Sequence, residues 1–505
     1  MKYFFLRGWM MEGIILDMKV GDKVEIWFKR SEKSYEVIEY KFRPTIYLSK
    51  RDLDRIISFL PPNSVYEINN VRKLVHPGRF RKPLIEIVFR NYSFFIRFRR
   101  KIKGLYLNIY NNDIFIEQQF LQVPTLNLID LQVKEKIDGK YLGGLDPDPP
   151  NLRVAVLSRI DDRTYELDLI EDILTISEEE ELKEILTEFD VDVLVYDDDI
   201  KINEMELSRD GKGYGRLFIP KKYFSSLPAL CEKALFTYVS PRRIAFLSTE
   251  ESIDARQCYY AQKFDIVVPP RYQKRFIKSE NFFYFETDKG DLIITPEPGL
   301  YENVLAIDLT SIYPIIIVDH DISYETCLIS GIRSISRKAF ISSVIKEPIE
   351  RMITYSKIKE SNNNAYERYG TLKQLLSGIG NYISLPGNRF RNSFCRVYVS
   401  YYAKEKIFAI INIVKELGFN VIYADTETLY IQRDDIKEDN MAQILHSIEE
   451  RAKLPLDIIH YYDYLSILPL NNNHAKIFEE NSISSGRDKI RLKGFIALEN
   501  QKYEA

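Results

Sequence analysis

The residues best placed to do chemistry are Asp425 and Glu427, one position apart in "VIYADTETLYI" (421–431). An apolar run enters the acidic pair and another leaves it, the pattern of a tight hairpin with carboxylates at its tip. A third acid, Asp308, closes the apolar run of "LAIDLTSIYP". Strand ends hold such side chains on a stiff backbone and let them project from one rim. Mg²⁺ needs oxygen ligands at short, rigid distances, and a protein commonly supplies one or two carboxylates while substrate phosphates complete the shell. Asp308, Asp425 and Glu427 converging on one rim would hold two divalent ions for in-line phosphoryl or nucleotidyl transfer. Taken alone, the D-T-E turn reads as readily as a plain hairpin with a solvated tip.

The elements that must position these acids follow from periodicity. "VLAID" is a short strand ending at Asp308. Residues from about 335 to 385 are helical and polar, with the three asparagines at 362–364 as a hinge. "SYYAKEKIFAIINIVKELG" is an amphipathic helix in which Ile407, Ile410, Ile411, Val414 and Leu417 share a face, and Gly418 stops it. The hairpin follows, then a helix near 439–452 and a strand "YDYLSILPL". Upstream, "DKVEIWFKR", "FRPTIYLSK", "LIEIVFR" and "YSFFIRFRR" read as strands. Between about 150 and 290, strands ("LRVAVLS", "VDVLVYD") alternate with a helical stretch, which implies a mixed α/β domain.

Bulk properties narrow the classes. At 505 residues the chain exceeds one core, so about three compact units are expected. With 45% hydrophobic and 29% charged residues, disorder is excluded as the main state. No apolar run of about 20 residues is present to span a membrane, and "MKYFFLRGWMMEG" lacks the features of a signal peptide. Four scattered cysteines, with no C-x-x-C, fit a reducing cytoplasm. Net charge is −3, yet "RFRRKIKG" and "HPGRFRKP" are basic patches able to hold phosphates. The run "FFIRFRRK" could stack on a single-stranded template, although an alternating strand explains it more simply. "GKGYGR" (211–216) lacks Walker spacing and is expected to be a flexible loop.

Two motifs carry a resemblance. "PEPGLYENVLAIDLTSIYPIIIVDHDISYET" (296–326) resembles the first palm motif of family B DNA polymerases, D-x-x-S-L-Y-P-S-I-I, and "YADTETLYI" resembles that family's Y-x-D-T-D-S. "KFRPTIYL" and "LNIYNNDIFIEQQFL" are similar to the N-terminal domain of archaeal members, so the resemblance covers nearly the whole chain. It implies an α/β and α+β multidomain, right-hand architecture. The expected parts are a β-rich N-terminal domain (1–140), an RNase H-like exonuclease-type domain (141–290), an antiparallel-sheet palm (291–332 and 386–505) and inserted helical fingers (333–385).

Roles follow from the same resemblance. Asp308, Asp425, Glu427 and the Leu309 carbonyl would surround two Mg²⁺ ions, with Mn²⁺ as a substitute. Ser311 and Ile312 would bring backbone N–H groups near an incoming triphosphate, and Tyr313 would pack under its sugar. Lys373 in "LKQLLSGIGN" matches the fingers lysine, with Arg351 as second cation. Lys476 and Phe478 in "HAKIF" match the K-x-Y motif that contacts primer–template DNA. The reaction implied is template-directed addition of dNTPs to a primer 3′ end, in replication or repair.

The departures bear on activity. Glu427 stands where the family has Asp, and Ser377, Gly378 and Gly380 stand where it has Asn, Ser and Tyr. The altered pocket would accept damaged templates or bind nucleotide poorly; both readings stay open. Ser158 and Ile160 occupy the exonuclease D-x-E positions, and Asp254 is its one retained acid beside Glu250, so no proofreading is expected. Little or no thumb is expected after "KGFIAL". The rivals are a non-catalytic DNA-binding or scaffold subunit, and the large half of a split polymerase served by a thumb-bearing or accessory partner.

Overall fold

The computed structural model describes residues 14–120, 148, 152–271, 293–467, 482–486 and 489–493, short internal stretches excepted. The chain divides into two units. The first comprises Met1–Ile277, Ser323–Thr326 and Ile335–Asn392; the second comprises Lys278–Ile322, Cys327–Ser334 and Ser393–Ala505. No helix among the described residues is long and apolar enough to cross a membrane. The four cysteines are buried and unbridged.

Among the described residues the first unit contains three sheets. Ile14–Val20, Lys23–Ser31 and Ser34–Lys41 form an antiparallel meander. Thr45–Leu48, Arg81–Phe89, Val65–Val75 and Ile266–Val267 form a second sheet. In the third, Leu217–Pro220, Val193–Tyr196 and Val154–Arg159 run parallel, and Tyr165–Asp168 and Ile173–Ile176 extend it antiparallel. This mixed sheet is the α/β pattern read between 150 and 290. Helices Phe340–Ser356 and Asn363–Ser377 meet at the asparagine run, where the Asn362 side chain caps the second by accepting from the Ala365 N–H at 2.9 Å.

Two local readings are corrected. "YSFFIRFRR" is part of a helix, Tyr92–Ile102, rather than a strand. Asn91 caps it, accepting from the Phe94 N–H at 3.0 Å, and Phe95, Phe98 and Ile102 are buried at helical spacing. The aromatic content favours a strand, but the Asn cap and the 3–4 residue period prevail. "GKGYGR" is a braced turn. Gly215 lies at φ +85, and a Cβ there would come within 2.8 Å of the Trp27 ring. Arg216 is buried and donates to the carbonyls of Val191 and Leu186, each at 2.8 Å.

The second unit is built on a six-stranded antiparallel sheet. Its order is Asn420–Ala424, Thr428–Gln432, Gly299–Asp308, Asp457–Ile467, Ser482–Gly486 and Lys489–Lys493. Val304, Leu305, Ala306 and Ile307 are buried, which fixes the strand that delivers Asp308. Helix Ser393–Glu416 packs against helices Ile312–Asp319 and Met441–Ala452. It buries Ile407, Ile410, Ile411 and Val414 and ends before Gly418, whose φ of +83 suits glycine.

Candidate active site

Strand pairing assembles the acidic rim. Asp308 is paired in register with Thr428 on one neighbouring strand and with Asp457 on the other. Residues directly opposite in an antiparallel ladder share a face, with Cβ atoms ~5 Å apart. The backbone N–H of Leu309 donates to the Glu427 carbonyl at 2.7 Å, so the hairpin tip lies against the residue after Asp308. The strand end and the D-T-E turn, far apart in sequence, therefore meet. Asp308 is held by a short turn: its Oδ1 accepts from the Thr310 N–H and hydroxyl, each at 2.7 Å.

Asp425 shapes the hairpin. Its Oδ1 accepts from the N–H groups of Glu427 at 2.7 Å and Thr428 at 2.5 Å, while Oδ2 accepts from the Tyr423 hydroxyl at 2.6 Å. A carboxylate that satisfies two turn N–H groups replaces backbone partners in the tight bend. Glu427 is exposed at the tip. Two hydroxyls beside the acids, Ser311 Oγ and Thr426 Oγ1, are buried without a hydrogen-bond partner. The Leu309 carbonyl accepts from the Ile312 N–H at 3.0 Å and keeps a second lone pair. That bond engages the Ile312 N–H within the chain. Tyr313 is half-buried on the helix that starts there.

Asp457 was not singled out from the sequence, although it has the signal that marked Asp308: a carboxylate at the edge of a β-rich apolar run. Its register against Asp308 is what draws attention to it. The donors at this rim are carboxylate and carbonyl oxygens, which fit Mg²⁺ or Mn²⁺. Among the described residues no group of three His, Cys, Asp or Glu side chains is gathered tightly enough to chelate a metal by itself.

Other expected site residues belong to the first unit or fall outside the described residues. Lys373 is in the first unit on helix Asn363–Ser377, with its Nζ 6.0 Å from the Tyr369 ring centre. Arg351 is buried in that unit and corrects the expectation for it. Its Nε and Nη2 donate to Glu232 Oε1 at 3.0 and 2.7 Å, and Nη1 pairs with Glu347. A guanidinium engaged on three nitrogens by two carboxylates is a structural tie rather than a phosphate ligand. Lys476 and Phe478 lie outside the described residues.

Asp254, the one exonuclease-type acid that the sequence retains, is tied to its neighbours. It is buried, accepting from Arg389 Nε at 3.0 Å, from Arg271 Nη2 at 2.7 Å and from the Tyr382 hydroxyl. Burial pushes its carboxyl up, but Arg389, Arg271 and Tyr382 outweigh that and hold it below the usual carboxylate range.

Comparisons with known proteins agree with this architecture. Residues 250–378 match the sequence model of DNA polymerase family B. The chain is 27% identical over 257 residues to DNA polymerase 2 of Saccharolobus solfataricus, covering 49% of this chain and 39% of that protein. It is 22% identical over 194 residues to a DNA polymerase of Archaeoglobus fulgidus, covering 35% of this chain and 25% of that protein. The matched stretches thus span well under two-thirds of these relatives' own length. The family B DNA polymerase from the hyperthermophilic archaeon Pyrobaculum calidifontis superposes with a TM-score of 0.70 at 16% identity, covering 96% of this chain and 81% of that chain. That likeness concerns the fold. Residues 250–378 thus resemble family B DNA polymerases, the chain shares the multidomain fold of one solved family B DNA polymerase, and archaeal DNA polymerases are among the proteins it resembles in sequence.

Proposed function

We propose that the chain is a template-directed DNA polymerase that adds dNTPs to a primer 3′ end, slowly and without proofreading. The observation that carries this reading is Asp308, held in register between the D-T-E hairpin and Asp457 at the end of a buried strand. The bond formed joins the primer 3′-oxygen to the α-phosphorus. The bond broken is the α–β phosphoanhydride, and pyrophosphate leaves while the hydroxyl proton passes to solvent. Asp308, Asp457 and Glu427, with the Leu309 carbonyl, would hold the divalent ions. The chemistry that two such ions supply is activation of the attacking hydroxyl and neutralisation of charge on the transferring group.

The chain's own residues do the positioning. Asp425 keeps the hairpin closed so that Glu427 stays at the rim. Tyr313 would support the sugar, the Ser311 N–H would face the triphosphate, and Lys373 would offset phosphate charge. A glutamate reaches about one bond further than an aspartate, and a misplacement of about 1 Å can cost on the order of 100-fold in rate. Weak turnover is the expected result, with tolerance of damaged templates as one use for it.

A second reading is a DNA-binding scaffold derived from a polymerase, either alone or as half of a split enzyme. It is favoured by the engagement of both Asp425 oxygens in the hairpin. Primer extension by purified protein with Mg²⁺ or Mn²⁺, beside Asp308→Ala, decides between them. Extension that disappears in the variant supports the enzyme. Equal extension by both proteins, or none by either with either metal, rejects it.

A further inference from the structure

Thr310 stands midway between the strand that ends at Asp308 and the helix that starts at Ile312, and it is tied to the acid. Its backbone N–H and its hydroxyl both donate to Oδ1 of Asp308, each at 2.7 Å. A carboxylate oxygen offers two lone pairs, so two donors fill it. Bonds to an ionised carboxylate are also the stronger kind. The N–H bond belongs to the backbone and stays with the turn. The hydroxyl bond depends on one side chain. Thr310 is half-buried, so that side chain is not sealed in the core.

Asp308 has the central place at the rim. It faces Thr428 in one neighbouring ladder and Asp457 in the other. In the proposed reaction it is therefore the acid that two divalent ions would share. An acid shared by ions about 3.5–4 Å apart serves them best with both oxygens. The other hydroxyls of the rim make the contrast. Ser311 and Thr426 are 3% and 2% exposed, and neither Ser311 Oγ nor Thr426 Oγ1 has a hydrogen-bond partner. Buried hydroxyls left in this way favour a polar ligand that the chain itself does not supply. Thr310 does the reverse, because it satisfies an oxygen that such a ligand would use.

We propose that Thr310 is a positioning residue that weakens divalent-ion binding at the rim, its hydroxyl competing with the ions for Oδ1 of Asp308. The inference rests on the polymerase reading for the reaction it tunes, but its test is read from ion binding alone. Its consequence is a raised demand for metal, a cause of slow turnover separate from the reach of Glu427.

The test titrates Mn²⁺ into purified wild type, Thr310→Val, Thr310→Ser and Asp308→Ala, without DNA or nucleotide, and counts the free ion by electron paramagnetic resonance. The binding lost in Asp308→Ala defines the rim site. Valine keeps the shape of threonine and the N–H bond and removes only the hydroxyl donor, so Tm should stay close to that of wild type. Groups hydrogen-bonded to a metal ligand change ion affinity by roughly 10–100-fold, so the Kd of the rim site should fall about threefold or more in Thr310→Val. Thr310→Ser restores the donor and should return the Kd to that of wild type. Unchanged or weaker binding in Thr310→Val overturns the proposal. Equal tightening in Thr310→Ser also overturns it, by assigning the effect to side-chain size. So does the absence of Asp308-dependent binding from wild type and both Thr310 variants. Failure of the polymerase reading looks different: Asp308-dependent binding that tightens in Thr310→Val, with no primer extension by any of these proteins, upholds the role of Thr310 and rejects that reading.

Discussion

At the residue scale, the D-T-E turn separates two roles that its spelling merges. Asp425 accepts two backbone N–H groups and one hydroxyl, so its first role is to close the hairpin. Asparagine retains an oxygen able to accept the two N–H groups; alanine does not. Asp425→Ala should therefore lose ~1–3 kcal/mol in denaturant unfolding, while Asp425→Asn should lose clearly less. Equal losses would show that the charge, rather than the turn bonds, carries the effect. Glu427 is exposed at the tip. Glu427→Asp should raise primer extension by shortening the reach to the family's aspartate, and the single-turnover rate is the quantity to compare. No gain would mean that side-chain length at 427 does not limit the chemistry.

At the element scale, packing gives the first unit a pH dependence. His76 sits with its ring 4.2 Å from Tyr324 and 5.4 Å from Phe390, and its Nδ1 is buried without a partner. Burial, with Arg391 adding to it, pushes this histidine down to about 3. The folded state therefore resists a proton that the unfolded chain accepts from about pH 6.5 downward. Stability is complete above that pH and falls as pH drops toward the folded value, by up to ~1.4 kcal/mol per unit. His76→Phe keeps the aromatic contact and removes the titration, so the loss in urea midpoint between pH 7 and pH 4.5 should shrink. A profile identical to wild type would place the acid sensitivity elsewhere. This device was not legible in the sequence, because Tyr324 and Phe390 are remote along the chain. The same distance hid the tie of Arg351 to Glu232 and that of Asp254 to Arg389, 119 and 135 positions apart. The strand ending at Asp308 and the D-T-E hairpin were legible because local pattern and motif spacing agree. Helix Tyr92–Ile102 was misread because its aromatic residues favour strands, while its cap and buried period favour a helix.

At the scale of the whole molecule, we propose that the mixed sheet of the first unit does not support metal-dependent strand cleavage. Its strand Val154–Arg159 presents Ser158, paired across the ladder with Glu166, and is followed by the exposed Ile160. Asp197, at the end of the neighbouring parallel strand, accepts from the Arg159 N–H at 3.1 Å and from Lys221 at 3.1 Å. Burial raises its carboxyl, and these partners outweigh that and lower it. Asp254 is locked between Arg389 and Arg271. Removing its charge would take the carboxylate partner from Arg271 and one of two from Arg389, so Asp254→Asn should destabilise the unit by ~3 kcal/mol, which is the mark of a structural carboxylate. Two metals need several acids free to bind them, and the acids expected here are replaced or engaged. A 5′-labelled single strand incubated with Mg²⁺ or Mn²⁺ should therefore keep its length over hours, in the same preparation whose extension activity is measured. Metal-dependent shortening that tracks the protein through purification would show that other carboxylates serve this sheet.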